Sequence, residues 1–263
     1  MAAFMFAIVI FRAAFSYHVA DSSEIGLLVM RTATALFIAA FLWMLYIALE
    51  PLVRRKWPKT LVSWSRLLAG DLRDPLVGRD VLFGLAGAGI FNLTDITWLA
   101  GYRMGKIPDS PLTQISSRVL LGGRYELAAM AQSLMVSIFF CSAILFMLFL
   151  LRLLLRRDWA VIVAATLFPL IMSALENFHA VAIAGMVVVW LLIVLMIMRF
   201  GLLTVIVATF VNDLTQLPLT PDVSAWYFNV GAVVLLVVAA LTAYAFHASL
   251  GGKSPFGKLH IEE

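Results

Sequence analysis

Five polar side chains that interrupt or border the apolar runs of this 263-residue chain could do chemistry together: Asp95, Glu176, His179, Asn212 and Asp213. An ionisable group within an apolar segment is expensive to hold there, so by default it marks a candidate site. At ~1.5 Å per helical residue Asp95 lies ~22 Å beyond Asp80, and Asp213 ~21 Å beyond Arg199. Both therefore fall near the same end of their segments, where Glu176, Asn177 and His179 also lie. Two or three carboxylates with an imidazole and an amide could line an outward-opening polar pocket able to take a proton, a cation or a polar ligand. The same residues equally fit helix ends and short turns wetted by lipid headgroups.

Enzyme signatures are absent. The chain has no His-Glu-x-x-His zinc motif, no Gly-x-Ser-x-Gly elbow, no glycine-rich phosphate loop and no Cys-x-x-Cys pair. His18, His179, His247 and His260 are scattered, and Glu176 with His179 falls short of the paired-glutamate and histidine motifs of an intramembrane protease. No cofactor or metal is expected. The single cysteine, Cys141, sits inside an apolar run and excludes an intrachain disulfide.

What positions these residues is set by composition. With 63% apolar and only 13% charged residues, and a mean hydropathy of +1.01, the chain lies far outside the soluble range. It reads as an all-α, polytopic helical membrane protein, a single transmembrane domain over residues 1–263. About eight apolar windows recur, at roughly 2–17, 25–49, 81–100, 127–151, 159–175, 180–199, 200–217 and 226–248. The first is short and broken by Arg12, which suggests a span cut short and a chain that continues a longer protein. Pro169 is expected to kink the fifth window, and Gly84, Gly87 and Ala88 give the third a small-residue face for close helix approach.

The net charge of +4 gathers in the gaps. Thirteen basic residues fall on one side of eight alternating spans, which places that side and both termini in the cytoplasm. Arg103, Lys106, Arg118 and Arg124 fall on the other side and run against the rule. Nucleic acid is excluded as a partner, because the basic residues lie between spans and their neighbouring tryptophans suit a membrane interface.

One stretch resists reading as a span. Glu50 to Asp80 holds seven of the nineteen basic residues and two tryptophans. Trp57, Leu61, Trp64 and Leu68 recur at spacings of four, three and four on one helical face, with Lys59, Ser63, Arg66 and Arg73 on the other. This predicts an interfacial amphipathic helix lying on the inner leaflet within 51–80. Gly70 supplies its C-terminal stop, and Asp74 with Pro75 caps and starts the next helix, which runs on into the third span. Arg54, Arg55, Trp57, Trp64, Arg66, Arg73, Asp74, Arg79 and Asp80 are the candidate relay.

The strings Leu45-Tyr46-Ile47-Ala48-Leu49-Glu50-Pro51, Val53-Arg54-Arg55-Lys56-Trp57-Pro58, Ser63-Trp64-Ser65-Arg66-Leu67 and Arg73-Asp74-Pro75-Leu76-Val77-Gly78-Arg79-Asp80 resemble the carboxy-terminal membrane domain of acidobacterial-type bacterial serine/threonine protein kinases. His18-Val19-Ala20-Asp21 and the Ser249–Gly252 region are similar to the same family. The resemblance implies a cytoplasmic kinase domain amino-terminal to these residues and a place in the bacterial inner membrane. No Val-Ala-Ile-Lys, His-Arg-Asp or Asp-Phe-Gly element is present, so no catalytic residue carries over. The expected function is a sensor or anchor module, itself non-catalytic, with the bilayer and the kinase domain as partners and a homo-oligomer compatible with it. The alternative expectation is a small transporter or permease-like protein, favoured by an inverted repeat or by helices broken at mid-membrane.

Overall fold

A computed structural model describes residues 1–18, 20–57, 60–103, 117–175 and 180–251, and the regular structure among them is entirely helical. Side chains are described over the same residues except 49–56, 96–103, 117–118, 172–175 and 180–182. In chain order the helices are α1 (Ala2–Phe15), α2 (Ser23–Lys56), α3 (Val62–Ala69), α4 (Pro75–Arg103), α5 (Gly123–Leu155), α6 (Asp158–Leu175), α7 (Ala180–Arg199), α8 (Leu202–Thr215) and α9 (Phe228–Ser249).

The expectation of about eight spans is corrected by their lengths. Four helices among the described residues are long and apolar enough to cross a membrane: α2 over Ser23–Ala48, α4 over Pro75–Asp95, α5 and α9. The other four windows fold as helices but offer shorter apolar stretches, Ala2–Phe15, Asp158–Ile171, Ile183–Arg199 and Leu202–Thr215. At ~1.5 Å per residue a 14-residue helix such as α1 or α8 spans ~21 Å, against ~30 Å of hydrocarbon. The windows overcounted because an apolar residue has two uses. On α2 only 17% of the spanning window is buried in protein, and Met30, Phe37, Trp43 and Met44 stand exposed. On α8, by contrast, Leu202, Leu203, Val205, Ile206, Ala208, Val211 and Leu214 are all buried against other helices. Hydropathy scores both alike.

Two packed groups make up the bundle. In one, α5 is the centre, touching α1, α2, α6 and α8, with Ile138, Cys141, Leu145 and Leu148 of α5 buried beside Met5 and Val9 of α1. In the other, α4 lies along α8, α9 and α7. Helices between lipid tails gain little by hiding apolar surface, so they associate through close packing. The small-residue face expected on α4 serves this purpose. A Cβ built on Gly84 would lie 2.7 Å from both the Thr204 carbonyl oxygen and Val207 Cβ on α8, and one on Gly87 would run into Met196 on α7. Gly78 does the same against α9, where its Cβ would lie 2.7 Å from the Ala245 carbonyl.

Pro169 lies inside α6 as expected. Having no N–H, it leaves the carbonyl of Ala165, four residues earlier, without its helical donor. The indole N–H of Trp190 on α7 donates to that oxygen at 2.7 Å, and the ring rests edge-on against Phe140 of α5. The breaker in α6 is thus closed by its neighbour.

Candidate functional site

Residues 60–80 are built into the bundle. The helix α2 continues through Pro51 to Lys56, so Arg54 and Arg55 are helical; their side chains lie outside the described set. The next helix, α3, is short, with eight residues, and ends at Gly70 in the left-handed conformation (φ 93°) that glycine adopts without strain. The Gly70 N–H closes the helix on the carbonyl of Leu67 at 3.1 Å, with Arg66's carbonyl also in range.

The face that the spacing defines on this helix packs on protein. Leu61 and Trp64 are buried in the protein core, at 3% and 2% exposure, and Trp57 is half-buried against it. Ser63, expected on the wet face, is buried too and donates a hydrogen bond to the Asp80 carboxylate on α4. One face of α3 thus packs on the core, and on the other Ser63 meets a buried carboxylate while Arg66 stays partly exposed. Spacing alone shows which residues share a face and is silent on what covers it. Asp80 is 1% exposed and keeps its charge matched by Arg79, whose Nε and Nη2 donate to Oδ1 at 3.0 and 2.8 Å.

The expected turn is present. Asp74 accepts a hydrogen bond from the Leu76 N–H at 2.8 Å, capping α4, with Pro75 as the first helical residue. Its other oxygen takes Arg66 Nη1 at 2.5 Å, tying the two helices across the turn. Arg73 is exposed.

Two further ties reach other helices. The Thr60 carbonyl accepts the Leu202 N–H at 2.9 Å, satisfying a donor that the start of α8 would otherwise leave open. Gly201, at φ 110°, allows that approach, since a Cβ there would lie 2.6 Å from the same oxygen. Tyr244 of α9 donates its hydroxyl to the Leu72 carbonyl at 2.6 Å. Residues 60–80 are thus fastened to α4, α8 and α9 at once. The sequence offered no signal for the Thr60 and Leu72 contacts, because they are made by backbone carbonyls.

The polar pocket expected from Asp95, Glu176, His179, Asn212 and Asp213 is only partly represented. Glu176 and His179 lie outside the described residues. Asp95 on α4 is exposed and accepts from Gln216 Nε2 at 2.6 Å, just past the end of α8. One turn earlier Asn92 accepts from the Thr215 hydroxyl at 2.8 Å. Asn212 and Asp213 are half-buried on α8, and Asn212 Oδ1 is buried without a hydrogen-bond partner. The structure therefore brings Asp95, Asn212 and Asp213 to one end of the α4–α8 pair. None of the cavities described is lined by these three side chains; one at the end of α8, about 480 Å³, is lined by Leu120, Gln216, Pro218, Trp226 and neighbours. No group of three His, Cys, Asp or Glu side chains that could hold a metal ion occurs among the described residues.

Fold and composition define an all-α integral membrane protein with several apolar spanning helices. No family model matches the chain, and no curated protein or solved structure matches it.

Proposed function

We propose that this chain is the membrane-embedded anchor or sensor module of a bacterial signalling protein, coupled through residues 57–80 to a cytoplasmic serine/threonine kinase domain that precedes it. The kinase assignment rests on the resemblance of the 45–58 and 63–80 strings. The location, the inner membrane with both termini cytoplasmic, rests on the basic residues gathered at this end.

One observation carries the coupling: Met1 packs beside Leu61, Leu202, Leu42 and Tyr46, at the same end of the bundle as the 57–80 stretch. A domain joined ahead of Met1 would enter next to α3 and next to the start of α8. Any change in how α4, α8 and α9 pack would move the Thr60, Leu72 and Asp80 contacts there first. For signalling, the bundle needs two packings that a stimulus prefers differently.

The test has two stages. The genomic reading frame upstream of Met1 is expected to continue in frame into a kinase domain, and a stop codon there would contradict the proposal. In the full-length protein inserted in lipid nanodiscs, replacing Arg54, Arg55 and Trp57 by alanine is expected to change autophosphorylation several-fold. Unchanged activity would reduce residues 57–80 to an anchor.

A further inference from the structure

At the end of the bundle remote from Met1, three arginines converge on the last turn of α1. Arg31 of α2 donates to the carbonyls of Ala13, at 3.4 Å, and Tyr17. Arg124, at the start of α5, donates to the Ser16 carbonyl at 2.8 Å. Arg12 lies close enough to Arg31 for their charges to oppose one another, and its Nε is buried without a hydrogen-bond partner. The carbonyls at the C-terminus of α1 explain why cations gather here. They do not use them up: a guanidinium has five N–H donors, and Arg124 is exposed.

Directly below runs an apolar groove of about 410 Å³, lined by Phe4, Ala7, Ile8 and Phe11 of α1 and by α5 residues from Leu127 to Leu134, with Phe210. Arg12 follows Ile8 by four residues, and Arg124 precedes Leu127 and Ala131 by three and seven. Each arginine therefore continues the groove-lining face of its own helix, and α1 and α5 run antiparallel, so both stand at one mouth. The N-cap of α5, Gly122, contributes no side-chain bond, leaving the positive end of a 33-residue helix facing the same place. Among the described acids nearby, Glu24 pairs with His18 at 2.5 Å, Asp21 accepts from Ser22, and Glu126, two residues from Arg124, is buried.

A greasy slot ending in unspent guanidinium donors matches a molecule with an acyl chain and an anionic head. We propose that this groove is a binding site for an anionic glycerophospholipid, its acyl chain between Phe4, Phe11 and Leu127 and its phosphate on Arg12 and Arg124. The site is independent of the kinase coupling, being at the opposite end of the bundle. It also gives Arg124 a use on the side where basic residues run against the charge rule.

Native mass spectrometry of the full chain in detergent would test this with phosphatidylglycerol and phosphatidylcholine of equal acyl length. Phosphatidylglycerol is expected to be retained about tenfold or more over phosphatidylcholine. The R12Q/R124Q double variant should bring the two to the same level. A7W fills the groove from an exposed wall position and should reduce retention of both, which guards against misfolding of the arginine variant. Equal retention by the wild type, an unaltered preference in R12Q/R124Q, or glycerol 3-phosphate competing as well as the intact lipid would overturn the proposal. So would a wild-type dimer that A7W separates, since a second copy would then fill the groove.

Discussion

The two ends of the bundle handle polar groups in opposite ways. Around α3 polar groups are tied across elements, Asp80 with Ser63 and Arg79, Asp74 with Arg66 and the Leu76 N–H, Thr60 with Leu202, and Leu72 with Tyr244, while Trp64 Nε1 and Ser65 Oγ of α3 itself are buried without a partner. Around Arg31 and Arg124 the partners are backbone carbonyls, Arg12 Nε has no partner, and Phe4, Phe11 and Leu127 stand exposed beside them. Internal pairing across elements makes one mechanical unit, because moving α3 strips a partner from the buried Asp80 carboxylate. Unspent donors beside open apolar surface make a receptive one. The first end is suited to transmit, the second to bind.

Substitutions can break that contrast, beginning with the glycines. Gly84→Leu drives a side chain into the α8 backbone and should destabilise by about 3 kcal/mol or more, seen as a large fall in Tm by circular dichroism in detergent. Gly123→Ala, at the receptive end and in open space, should change stability by less than about 0.5 kcal/mol. Next is Ser63→Ala, which strips a hydrogen bond from a buried carboxylate and should lose about 1.5–3 kcal/mol. Trp190→Phe keeps an aromatic ring and abandons the Ala165 carbonyl, for about 1–2 kcal/mol. Asp74→Ala removes the α4 cap, at about 1 kcal/mol, which Asp74→Ser should largely restore. Smallest is Gln216→Ala beside the exposed Asp95, within about 0.5 kcal/mol. Chemical unfolding in detergent checks the last four. Equal effects of Gly84→Leu and Gly123→Ala would dissolve the contrast.

Features written in neighbouring residues are legible in the sequence. Gly70 as a stop, Asp74-Pro75 as a start, and Gly84 and Gly87 as a close-packing face all come from local backbone chemistry or the lack of a Cβ. Features decided by what lies across from a residue are not. The spacing of Trp57, Leu61, Trp64 and Leu68 defines a face, yet a tryptophan ring suits lipid headgroups and a protein core equally, and Trp64 enters the core. The span count fails for the same reason, since the apolar face of α8 serves its neighbours as the apolar face of α2 serves lipid. In sequence Arg12 is only an interruption of an apolar run, because its companions come from α2 and α5, 19 and 112 positions away. Of the polar pocket, the shared end of Asp95 and Asp213 is legible from rise per residue. The engagement of Asp95 by Gln216 is not, because Gln216 lies beyond the end of α8.

Hydrogen–deuterium exchange, comparing the wild type with Ser63→Ala, tests most directly whether residues 60–80 and the helices they touch form one unit. The two are joined by the Ser63–Asp80 bond and by the Thr60 carbonyl on the Leu202 N–H. Loosening α3 is predicted to raise exchange together in peptides covering 60–80 and the first turn of α8 at 202–205, while the Arg12–Tyr17 region stays as protected as before. Faster exchange confined to 60–80, with Leu202 unchanged, would contradict the account.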